Sequence, residues 1–360
     1  MNKERKRILE MVESGALSAQ EALTLLEALD QAEKKSKEKE EKIINELVIS
    51  TKKEKKDDGP NFNSTKEKVM DFVQSTLQKV KNLDLDFQFG QSVTFSHVFQ
   101  HSGDGIQQIE LDLFNGNIEI IPWDQRDVRM ECHVKVYRTE DVEEARKIFL
   151  DNTTFSVEKG HLFFLMPYKW IKIDTALYLP KCQFEKLSVK TFNGGLVGKE
   201  LIVNDFRFKT ANGKLRTKKL ITQSIDAETA NGALILEQCV SRKVEAETIH
   251  GSILFQGESE RIDLQSLSGT VECELIGDNS ETLHMKTVTG NINMTIPNEQ
   301  SINGELKSNL GNFNIRLSDI TILEEKNELV QKQLQFTKKG LLPRQLHVFA
   351  DTKTGSVKIQ

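Results

Sequence analysis

The chain has 360 residues, 38% of them hydrophobic and 29% charged, with a formal net charge of −5. That length accommodates two or three structural units, and the charge balance excludes a general electrostatic attraction to nucleic acid. Six prolines and 21 glycines argue against a collagenous or disordered chain. Met1 to Arg5 leads into no apolar h-region and no long apolar run follows, so neither a cleaved signal peptide nor a spanning helix is expected.

Residues 1–30 read as a helical hairpin. Ile8, Leu9, Met11 and Val12 give the first helix one apolar face, and Ser14-Gly15 ends it. Ser18-Ala19-Gln20-Glu21 is a capping box, in which Ser18 and Glu21 each satisfy a free backbone donor of the second helix. Ala22, Leu23, Leu25, Leu26 and Leu29 line that helix. Two helices this short bury too little surface to stand alone. Leu9, Val12, Leu23, Leu26 and Leu29 are therefore expected to contact a second copy or a protein partner.

Residues 31–63 form a charged linker, with Ile43, Ile44, Leu47 and Val48 as a small apolar island. Ser64-Thr65-Lys66-Glu67 is a second capping box. It opens an amphipathic helix over 64–83, whose stripe contains Val69, Phe72, Val73, Leu77 and Val80. Lys66, Lys68, Lys79 and Lys81 flank the stripe. The helix is expected to cap the domain that follows; the alternative is a position on an anionic membrane surface.

From residue 84 to 360 the pattern is that of strands. Leu85, Phe87 and Phe89 alternate, then Val93 and Phe95. Ile109, Leu111, Leu113, Gly116, Ile118 and Ile120 follow, with Asn115-Gly116 at a corner. Val128 to Val136, Leu162 to Met166 and Ala176 to Leu179 are further strands, and Glu140 to Leu150 predicts a short helix. Between Leu187 and Ile296 a phrase recurs, plainest as Thr191-Phe192-Asn193-Gly194, Thr210-Ala211-Asn212-Gly213 and Thr229-Ala230-Asn231-Gly232. Gly251, Gly269 and Gly290 continue the series, at spacings of 19, 19, 19, 18 and 21 residues. Seven and five residues before each glycine, and two after it, the chain is mostly apolar; the positions between are mostly polar.

No repeat of this size can bury its own apolar face, but stacked repeats cover one another. The fold expected is mainly β: a β-solenoid, or β-helix-like repeat domain, with rungs of about 19–21 residues. Asn-Gly would supply a positive backbone angle at each corner, and the hydroxyls three before each glycine would form a ladder. Because Asn-Gly is also the strongest hairpin signal, an antiparallel β meander or sandwich remains the alternative, and strand connectivity separates the two. A third apolar run follows in several repeats: Leu201-Ile202-Val203, Leu220-Ile221 and Cys239-Val240. Beyond Pro297, Glu324 to Leu334 reads as a helix-permissive excursion. His347–Ala350 and Gly355–Ile359 read as a closing strand pair at the last edge.

The opening Glu4-Arg5-Lys6-Arg7-Ile8-Leu9-Glu10-Met11-Val12-Glu13-Ser14-Gly15, with Ser18-Ala19-Gln20-Glu21-Ala22-Leu23, resembles the short SHOCT-like helical N-terminal domain of the YvlB/LiaX-like proteins of Gram-positive bacteria. Leu177-Tyr178-Leu179-Pro180, Leu187-Ser188-Val189-Lys190-Thr191 and Asn193-Gly194 resemble their adhesin-like β domain, whose specific function is unassigned. The resemblance implies a non-enzymatic scaffold or sensor in the cell-envelope stress response, modulating the response to membrane-active antimicrobial peptides. It implies envelope-stress regulatory membrane proteins as partners and brings no catalytic or binding residues with it. The sequence's own signals point to a cytoplasmic, membrane-peripheral location, the alternative being the cell surface by a route independent of a signal peptide.

Catalytic signals are absent from the sequence. There is no GxSxG, P-loop or GxGxxG before a helix, and the seven histidines show no HxH or HExxH spacing. Cys132, Cys239 and Cys273 sit in apolar patterns and read as small buried hydrophobes, without CxxC. Glu228 and Glu247 occupy equivalent positions, but their neighbours Lys190, Lys209 and Gln265 suggest a solvated mixed-charge face. No catalytic residue, metal or cofactor is expected. A carbohydrate-active solenoid enzyme, which wants acids clustered on adjacent rungs, is the remaining alternative.

Overall fold

The computed structural model describes residues 91–327, 332–342 and 344–360, all within one compact unit. The expected hairpin, linker and 64–83 helix lie outside them. So do Leu85, Phe87 and Phe89.

The described strands are β1 (Ser92–Ser102), β2 (Gln108–Asn115), β3 (Ile118–Trp123), β4 (Asp127–Tyr137), β5 (Thr154–Glu158), β6 (His161–Met166), β7 (Ile171–Pro180) and β8 (Gln183–Asn193). The long strands β9 (Leu196–Asn212), β10 (Leu215–Asn231), β11 (Leu234–His250) and β12 (Ile253–Ser268) follow. The chain ends with β13 (Val271–Leu275), β14 (Thr282–Thr289), β15 (Ile292–Thr295), β16 (Ser301–Ser308), β17 (Phe313–Ile315), β18 (Ile320–Asn327), β19 (Lys332–Lys338), β20 (Gln345–Thr352) and β21 (Val357–Ile359). One helix, α1 (Val142–Asn152), interrupts the series where the sequence predicts it. Asp141 caps it, its carboxylate accepting from Glu143 N at 2.7 Å and Glu144 N at 3.0 Å.

Connectivity decides the architecture. The strand before each Asn-Gly corner pairs in parallel with its equivalent one rung on: β2 with β8, then β9, β10, β11, β12 and β14. The strand after the corner does the same, β3 with β9 and then through to β13 and β15. Leu187, Phe206, Ile225, Val244, Ile262 and Leu283 stack in one register row, and Leu196, Leu215, Leu234, Ile253, Val271 and Ile292 in another. All of these are 2% exposed or less. This is the solenoid. Among the described residues, antiparallel pairs occur only near the ends, at β1–β4–β7, β5–β6 and β16–β19–β18.

The corner glycines are required for a reason the sequence did not supply. Gly194, Gly213, Gly232, Gly251 and Gly290 do not have positive φ; of the corner series Gly116 and Gly269 do, at 132° and 156°. Instead, the rungs approach so closely that a Cβ on Gly213 would fall inside the Gly194 carbonyl oxygen. Each later glycine meets its predecessor in the same way. The hydroxyl ladder forms as expected: Thr210, Thr229, Thr248, Ser266 and Thr287 donate to the carbonyls of Gly194, Gly213, Gly232, Gly251 and Gly269 at 3.0–3.2 Å. The positive angles fall at a second corner, on Glu200, Lys219 and Gln238 with φ of 56°, 57° and 53°.

Two C-terminal expectations are corrected. Glu324 to Leu334 is not helical where described: β18 and β19 form an antiparallel hairpin that covers the β16 edge, anchored by fully buried Phe336. The ring of Phe336 fills the space where Gly304 lacks a side chain. The closing strand pair is not at the end either. β20 lies between β14 and β16, and β21 between β15 and β17, so the last residues of the chain make an interior rung.

Candidate functional site

Strand alternation turns two rows of side chains outward on the face that precedes the Asn-Gly corner. One runs Lys190, Lys209, Glu228, Glu247, Gln265, Lys286; beside it run Ser188, Arg207, Asp226, Glu245, Asp263, His284. Five carboxylates, Asp226, Glu228, Glu245, Glu247 and Asp263, therefore gather on three consecutive rungs. The expected mixed face describes the first row alone; the second row makes the carboxylate stack.

Glu228 and Glu247 are not solvated, being 7% and 8% exposed. Lys209 bonds Glu228 at 2.6 Å and lies 3.7 Å from Asp226. Burial works against the Lys209 charge, but these two acids outweigh it and its pKa is raised. Burial also raises Glu228, against the pull of Lys209, and the second oxygen of Glu228 is enclosed without a hydrogen-bond partner. Glu247 is pushed up to about 8, first by burial and then by Glu228, Asp263, Glu245 and Asp226. It holds its proton at neutral pH. At the edges of the cluster, Lys243 pairs with Glu245 at 2.6 Å and His284 with Asp263 at 3.0 Å.

Three other surface features stand out. Asn231, Asn212 and Asn193 each donate a side-chain amide to the next, and Asn193 to Asn115, at 2.8–2.9 Å. The third apolar run splits by face: Leu201, Val203, Leu220 and Cys239 are buried, while Ile202, Ile221 and Val240 stack in register in the open. A shallow concavity near β1 is lined by Ser96, His97, Glu131, His133, Asn117 and Asp174. Burial, then Arg146, lowers the pKa of His97. Among the described residues no three His, Cys, Asp or Glu side chains converge as metal ligands. Cys132, Cys239 and Cys273 are buried as expected; burial drives the first two thiols up to about 12 and about 11. The partner residues Leu9, Val12, Leu23, Leu26 and Leu29, and the helix residues Val69, Phe72, Val73, Leu77 and Val80, lie outside the described residues. No helix among those described is long and apolar enough to cross a membrane.

Sequence comparison places this geometry. The Toastrack DUF4097 family matches residues 106–358, from just before the first rung to the last strand. The chain belongs to the Toastrack DUF4097 family. A SHOCT-like domain matches residues 3–34, ahead of the Toastrack body. The chain is 39% identical over 367 residues to YvlB of Bacillus subtilis (strain 168), a protein described as uncharacterized, covering 100% of this chain and 99% of that one. Among solved structures, the Toastrack body is similar to candidate adhesins from Bacteroides fragilis and Parabacteroides merdae. They are 10% and 9% identical, with TM-scores of 0.39 and 0.37; each comparison covers 74% of this chain, and 97% and 96% of the other.

Proposed function

We propose that this Toastrack protein is a non-enzymatic scaffold or sensor in the cell-envelope stress response, modulating the response to membrane-active antimicrobial peptides. The observation that carries the reading is the pairing of a SHOCT-like segment at 3–34 with a solenoid whose interior is filled by apolar rows. A packed solenoid offers long outer faces and no enclosed chamber, which suits docking better than turnover. The N-terminal helices would recruit a second copy or an envelope-stress regulatory membrane protein through Leu9, Val12, Leu23, Leu26 and Leu29. The protein would work from the cytoplasm, at the membrane periphery.

Deleting residues 1–30 is expected to lower the oligomeric mass in light scattering and leave the thermal transition of the β domain in place. An unchanged mass would remove the helices from assembly. The membrane reading is tested separately, on the apolar stripe of 64–83. Phe72→Asp with Val73→Asp should abolish co-sedimentation with anionic phosphatidylglycerol vesicles if that helix binds lipid; undiminished co-sedimentation leaves it a cap. Protease accessibility on intact, fractionated cells distinguishes the cytoplasmic placement from the cell surface.

A further inference from the structure

The outermost strands of the stack are not alike. β18 carries Glu324, Glu325 and Lys326 and a register break between Ile322 and Glu324. β5 has five residues and β17 three. Charge, irregularity and shortness are the ordinary means by which a sheet edge avoids pairing with another chain. β1 has none of them. It runs 11 residues in unbroken register with β4, from Ser92 opposite Tyr137 to Ser102 opposite Asp127. It contains no Lys, Arg, Asp, Glu, Pro or Gly. Among the described residues its other edge pairs with nothing.

The groups on that edge can be named. Arg138 N donates to Gln91 O, and Tyr137 N turns away to Trp170 O. Because bonding alternates along an antiparallel pair, the odd-numbered residues of β1 bond to β4. The backbone N–H and C=O groups of Thr94, Ser96, Val98 and Gln100 then face outward from the sheet edge.

About His97 two of the five residue pairs are identical, Ser92 with Ser102 and Phe95 with Phe99, and the other three pair uncharged side chains, with no acid or lysine opposed to its like. We propose that β1 is a self-pairing edge, through which two copies of this chain join their sheets antiparallel about a two-fold axis at His97. In that register Ser96 pairs with the partner's Val98 and Thr94 with the partner's Gln100, each through two backbone hydrogen bonds. Phe95 lies opposite the partner's Phe99 at a non-hydrogen-bonded position, where side chains come closest. This extends the aromatic cluster in which Phe95 meets Phe149 at 5.7 Å and Phe99 meets Phe155 at 4.9 Å. No like charges oppose one another, and the interface is isologous, so it closes at two copies. The inference stands apart from the proposed function and from any contact made by the N-terminal helices.

The test uses the full chain with exposed Cys182 changed to serine. In that background His97→Cys is expected to form a disulfide-linked dimer on mild oxidation, because the two-fold brings position 97 against itself. Ser96→Cys should form little disulfide-linked dimer, its counterpart being displaced along the strand. Val98→Pro removes an outward N–H and no bond to β4; added to His97→Cys, it should abolish the cross-link and leave the thermal transition unchanged. Equal cross-linking at 96 and 97 would indicate random encounter and overturn the proposal. So would a His97→Cys protein that forms no disulfide-linked dimer, or cross-linking undiminished when Val98→Pro is added to it. If Val98→Pro instead lowers the melting temperature of a monomer, the edge is used within the chain, and the proposal also fails.

Discussion

Glu247→Gln is expected to stabilise the protein, and by an amount that grows with pH. An unfolded glutamate releases its proton near 4.5, whereas folded Glu247 holds it up to about 8. The folded state therefore binds the extra proton in between, so its stability falls as pH rises from about 4.5 and levels off above about 8. Each unit of that displacement corresponds to about 1.4 kcal/mol, which puts the full difference on the order of a few kcal/mol. Glutamine keeps the shape, offers an N–H where the acid offered O–H, and does not titrate. Melting temperatures of the two proteins should nearly coincide at pH 5 and separate by several degrees at pH 8.5. Parallel curves across that range would mean Glu247 is ionised in the folded chain.

Gly213→Ala is expected to be a severely damaging single methyl, as at the other corner glycines. The new Cβ would overlap the Gly194 carbonyl oxygen, and that oxygen belongs to backbone, which cannot swing aside. Separating the rungs to admit it would weaken the Thr210 bond to Gly194 O at 3.1 Å and the Gly194 N bond to Asn212 O at 2.9 Å. A cost above about 4 kcal/mol belongs to the exceptional class of substitutions. Gly198→Ala is the control. There the nearest atom is the Leu201 Cδ1 methyl at 2.9 Å, the end of a side chain that can turn. Chemical denaturation should show a large loss of stability for the first and a small change for the second. Similar midpoints would mean the corner stack yields more readily than its spacing implies.

Much of the body was legible in the sequence because a solenoid repeats its own instructions. Leu187, Phe206, Ile225 and Val244 recur at one spacing because each covers the last, and Thr210, Thr229 and Thr248 recur because each meets the same carbonyl. The second corner was not legible: Glu200, Lys219 and Gln238 adopt positive φ without being turn-forming residue types, held there by the paired strands on either side. The β18–β19 hairpin was hidden for a related reason. Glu324-Glu325-Lys326 suits a helix by local preference, but the exposed edge of β16 needs a strand, and Phe336 supplies the anchor. The carboxylate cluster escaped because it spans two rows; Glu228 and Glu247 among Lys and Gln look ordinary until Asp226, Glu245 and Asp263 are set beside them. Burial of Glu228 and Glu247 is a property of packed rungs, and no single repeat announces it.

The interior position of β20 and β21 gives the C-terminus the part of a keystone. Parallel stacks can grow from one end as a chain leaves the ribosome, each layer templating the next. Here that order fails, because β16 and β17 are synthesised before the layer that must separate them from β14 and β15. Synthesis of β20 and β21 thus closes the gap between those strands, and a chain stopped short of Gln345 is missing a course from the middle of its wall while an outer course has already been made.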